Sequence, residues 1–62
     1  MTKNDMFLIC ASIINGADNL CNRLKEAHEA GDNAAKDQIV MEMVGSYIEA
    51  RNTLAKMLQE LI

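Results

Sequence analysis

Four residues near the middle of the chain, Ala30-Gly31-Asp32-Asn33, divide its 62 residues into two nearly equal halves. Neither half contains proline, and each carries apolar residues at helical spacing. Glycine adopts the left-handed backbone that ends a helix, and Asp32 or Asn33 can cap the next one. The pattern predicts an all-α fold: a two-helix antiparallel hairpin forming a single domain over residues 1–62. Its expected parts are a helix over about 4–29, a loop over about 30–33 and a helix over about 33–61.

The first half begins with helix-start chemistry. Thr2 or Asn4 can accept from an early backbone amide, and Asp5 suits the positive end of the helix dipole. Three adjacent heptad columns follow, most of their members apolar: Lys3, Cys10, Ala17, Leu24; Met6, Ile13, Leu20, Ala27; and Phe7, Ile14, Cys21, His28. Asn15-Gly16 is a turn dipeptide, yet the columns keep phase across it, so a continuous helix is expected. Gly16 falls level with Tyr47 in an antiparallel hairpin, which suggests that it leaves room for the tyrosine ring.

The second half repeats the pattern. Val40, Tyr47, Leu54 and Leu61 form one column, and Val44 and Leu58 lie in the next with Asp37 and Arg51. Met41, Ile48, Ala55 and Ile62 form a third; Met43, Ala50 and Met57 a fourth. Ser46 is read with the polar side. Apolar residues continue to the last position, so a packed C-terminus is expected.

A chain this short buries little surface alone and usually needs a disulfide, a metal or a second subunit. Cys10 and Cys21 are eleven residues apart, roughly 16 Å along a straight helix at about 1.5 Å per residue. A disulfide needs Cα atoms within about 7 Å, so these two cannot pair in one helix. Nor does two-helix packing cover three or four apolar columns on each helix. The expectation is therefore a homodimer closing into a four-helix bundle.

No residue constellation points to chemistry. His28 stands alone, with Lys25 where a Glu-x-x-His metal motif would need Glu. Both cysteines fall on the apolar stripe, as small buried hydrophobes do. The chain is read as non-enzymatic, with no cofactor and no metal. Arg51 and Asp37 are the candidate structural polar pair: Arg51 sits among apolar neighbours, either snorkelling with its head at the bundle edge or paired with an acidic residue that fixes register, and Asp37 is expected to meet Arg23 or Lys25 across the hairpin. Phe7, Leu8, Ile9, Met41, Met43 and Met57 are the candidate partner contacts, because methionine repacks easily against different surfaces.

Net charge is −3, the wrong sign for phosphate binding, and the basic residues do not gather in one stripe; nucleic acid is not an expected partner. Met6 to Ile14 is too short to span a membrane and lacks the flanks of a signal peptide. Free thiols without a disulfide framework fit a reducing compartment, so a complete cytoplasmic product is expected.

In length, central loop and paired amphipathic helices the whole chain resembles the Rop class of plasmid regulators. Those proteins dimerise into four-helix bundles and bind paired RNA loops through a polar, basic, Phe-bearing face. The corresponding stretch here holds Cys10, Ile14 and Asp18, which departs from that face. The expected function is a protein–protein interaction module or small regulator acting on another protein as an acidic homodimer, a character shared by secretion cochaperones and phage-encoded inhibitors. The alternatives are a Rop-like RNA-binding regulator and a small-molecule sensor with a site between subunits.

Overall fold

The computed structural model describes all 62 residues, and two helices account for nearly all of them: α1 (Lys3–Glu29) and α2 (Asn33–Leu61). They pack against each other as an antiparallel hairpin measuring 46 × 17 × 10 Å.

Local chemistry sets three of the four helix boundaries. Thr2 caps α1 in a reciprocal box: its hydroxyl accepts from the Asp5 amide at 3.1 Å, and the Asp5 carboxylate accepts from the Thr2 amide at 3.3 Å. At the other end, the Asp32 amide donates to the Ala27 carbonyl and the Gly31 amide to the His28 carbonyl. This paired pattern requires a left-handed residue, and Gly31 supplies it at φ 68°. Asp32 then caps α2 by accepting from the Ala35 amide at 3.0 Å. α1 runs unbroken through Gly16, as the phase of its apolar columns predicts.

The seam between the helices is narrow. Only Ala27, Ile39 and Met57 are buried. Met6, Ile9, Cys10, Ile13, Leu20 and Leu24 of α1 are half-buried, as are Met43, Ala50 and Thr53 of α2. For α1 the expected columns Met6-Ile13-Leu20-Ala27 and Cys10-Leu24 thus supply the seam.

For α2 the expectation is corrected in part. Its inner face is Ile39, Met43, Ala50, Thr53 and Met57, with Ser46, still exposed, turned toward Ile13 between the two helices. Of the four expected columns, that of Met43, Ala50 and Met57 faces α1, whereas that of Val40, Tyr47 and Leu54 is exposed. Residue size explains the choice: Ser46 and Ala50 are small enough for α1 to approach across Ile13, whereas a tyrosine ring there would hold the backbones apart. The packed C-terminus is not found either, since Ile62 is 95% exposed and nothing in the hairpin extends beyond it.

A candidate protein-interaction face

The two flanks of the seam differ in chemistry. On one, a shallow groove runs between Ser12 and Gly16 of α1 and Ser46, Glu49 and Thr53 of α2. Arg23 bridges the helices on this flank, donating to Glu42 at 2.8 Å. The N-terminal ammonium reaches Glu60 at 3.3 Å. All four charged groups remain partly exposed, so these pairs orient the helices more than they stabilise them.

The opposite groove is apolar, lined by Ala17 and Leu20 of α1 and Met43, Tyr47 and Ala50 of α2. Each helical residue turns about 100°, so Phe7, Ile14 and Cys21 lie on the same flank of α1 as Ala17. Val40, Leu54 and Leu58 likewise share the Tyr47 flank of α2, and Val44 sits at its outer edge. Together these residues make an exposed apolar surface on this flank, interrupted on α1 by Asp18 and Lys25, which share the side of Phe7. Phe7 is 68% exposed, Tyr47 66% and Leu58 57%, values foreign to core side chains.

The residues expected to bind a partner separate into two groups. Phe7, Leu8 and Met41 are exposed. Ile9 and Met43 are half-buried in the seam, and Met57 is enclosed by it, so the hairpin itself occupies them. Leu8 and Met41 point away from the seam on opposite outer edges and do not join into one patch.

Other expectations are also corrected. Asp37 meets neither Arg23 nor Lys25; Arg23 instead pairs with Glu42, which lies about 140° around α2 from Asp37 and on the side facing Arg23. Neither Asp37 nor Arg51 forms an ion pair within the hairpin, and both are exposed. Gly16 does not accommodate Tyr47: a Cβ built there meets nothing within 4 Å, and the two residues line opposite grooves. Of the cysteines, Cys10 is half-buried but Cys21 is exposed; both are free thiols. His28 is exposed, with its Nδ1 3.3 Å from the Lys36 ammonium, which can donate to a ring nitrogen that carries no proton.

Sequence reasoning missed Ile39, which it assigned to no column; Ile48 it placed in the Met41 column but not among the partner contacts, and it is exposed, extending the apolar surface of α2 around to Met41. The signal for Ile39 was its heptad relation to Ser46 and Thr53, which their polarity concealed. No three His, Cys, Asp or Glu side chains are placed to share a metal ion, and no helix is long and apolar enough to cross a membrane.

The fold therefore defines a two-helix hairpin with one polar and one apolar flank. No protein-family model matches the chain, and no curated protein or solved structure matches it.

Proposed function

We propose that this chain is a non-enzymatic protein–protein interaction module, a small regulator or inhibitor that acts on another protein as a homodimeric four-helix bundle. The observation that carries the reading is the exposed apolar side chains of Phe7, Ile14, Val40, Tyr47, Leu54 and Leu58 on one flank, which nothing in the hairpin covers. An apolar surface of this extent marks an interaction site. A second hairpin supplies the matching surface, since each copy presents the same face. Leu8, exposed on the outer edge of α1, stands away from that face, where a different protein can reach it after two copies have joined.

The test is affinity capture with the intact chain, comparing wild type with a Leu8→Ser variant, each with and without nuclease. A captured protein that survives nuclease and is lost with the variant is the expected result. Capture that disappears with nuclease would replace this reading with that of an RNA-binding regulator.

A further inference from the structure

Asp37 and Arg51 share one column of α2 with Val44 and Leu58. They are two heptads apart, about 21 Å along the axis, and Val44 lies midway between them. Both are exposed and neither takes part in the ion pairs of the hairpin. Lys36 on that flank is turned to His28 at 3.3 Å, which leaves Asp37 and Arg51 as the charged groups bordering the apolar surface of α2.

One charge of each sign at equal distance from Val44 makes this surface self-complementary. A two-fold rotation through Val44 reverses α2 and brings each Asp37 to the level of the other copy's Arg51, so two pairs form at once. Val44 of one copy then lies over Val44 of the other, Val40 level with Ile48, and Tyr47 level with Met41. We propose that two copies pack α2 against α2 antiparallel about a two-fold axis near Val44, with Asp37 of each copy paired to Arg51 of its mate.

Three considerations favour this arrangement over its neighbours. Parallel packing of α2 would set Arg51 on Arg51 and Asp37 on Asp37, a like-charge arrangement that disfavours association. Sliding the two helices to full overlap, centred on Tyr47, would leave Asp37 and Arg51 offset by roughly 9 Å and both covered without a partner, the costly outcome for a desolvated charge. The area is also sufficient. A compact monomer of this mass exposes roughly 4,000 Å², whereas the hairpin exposes 4967 Å². That excess of roughly 1,000 Å² exceeds the roughly 800 Å² per partner of a standard interface.

This inference rests on the homodimer reading, and charge exchange in the full chain separates the two. D37R puts two cations in the column, and R51D puts two anions there. Each variant alone should dimerise with a dissociation constant raised about tenfold or more. The double variant D37R/R51D exchanges the signs and should return to within about threefold of wild type. An equimolar mixture of the two single variants should form heterodimers in preference to either homodimer. Circular dichroism on every sample distinguishes weak association from misfolding. Where a single variant loses helicity alone, its recovery on mixing supports the pair, and no recovery counts against it. Single variants that dimerise like wild type, with no preference in the mixture, would overturn the pairing while leaving the homodimer intact. A fully helical wild-type monomer at tens of micromolar would overturn both.

Discussion

Two glycines of this chain have opposite roles, and backbone angle tells them apart. Gly31 sits at φ 68°, where a side chain is strained even though its surroundings are open. Gly31→Ala should lower stability by about 1 kcal/mol or more. Gly16 lies inside α1 with open space around it, so Gly16→Ala should raise stability by about 0.5–1 kcal/mol. Thermal or urea melts of both variants check the pair; a destabilising Gly16→Ala would mean that something outside the hairpin fills that space. Because Gly16 and Tyr47 line different grooves, the combined Gly16→Ala/Tyr47→Ala variant should be additive within about 0.5 kcal/mol. Residues whose role is local were legible from the sequence: Gly31, Asp32, Thr2 and Asp5 act within a turn of their own position. The supposed link between Gly16 and Tyr47 was not, since level along the axis says nothing about which side of the seam a residue occupies.

The helices differ in how clearly they announce their inner face. α1 has a polar arc of Asn15, Asp18, Asn22, Lys25 and Glu29 that leaves one way to turn, and its expected columns form the seam. α2 is apolar around most of its circumference, so hydrophobicity alone did not select a face. Side-chain volume did, through Ser46 and Ala50 opposite Ile13. A direct consequence is that Met57, enclosed between the helices, matters more to the hairpin than the larger and more apolar Leu54 column suggests. Met57→Ala should cost about 2 kcal/mol, near the low end for a buried methionine because the seam is open on both flanks. Leu8→Ala and Met41→Ala, on outer edges, should each stay within about 0.5 kcal/mol. Denaturant titrations rank the three; equal losses at Met57 and Met41 would mean that the seam has been assigned to the wrong face of α2. Arg23→Ala should cost under about 1 kcal/mol, and the loss should shrink in high salt, since its bridge to Glu42 is partly exposed.

The molecule as a whole is more extended than a compact chain of its length. Its radius of gyration is 14.5 Å, where a compact chain of this length has about 11 Å. Two helices side by side enclose only three residues, and the larger share of the apolar side chains faces outward. That an apolar surplus existed was legible in the sequence from the number of columns. Which residues formed it was legible only in part: Phe7, Leu8 and Met41 were singled out and are exposed, but Tyr47, Leu54 and Leu58 were placed in apolar columns without being singled out as the uncovered ones. Their exposure, with Ile39, Met43 and Met57 turned inward, follows from the turn of α2 that its small residues impose. Sedimentation equilibrium of the wild-type chain at micromolar concentration is the direct test of whether a second copy covers the Tyr47 face. The expected result is a species of twice the 6.9 kDa chain mass whose dissociation on dilution is accompanied by loss of helicity. A 6.9 kDa species that keeps full helicity and a cooperative melt across the same range would contradict it.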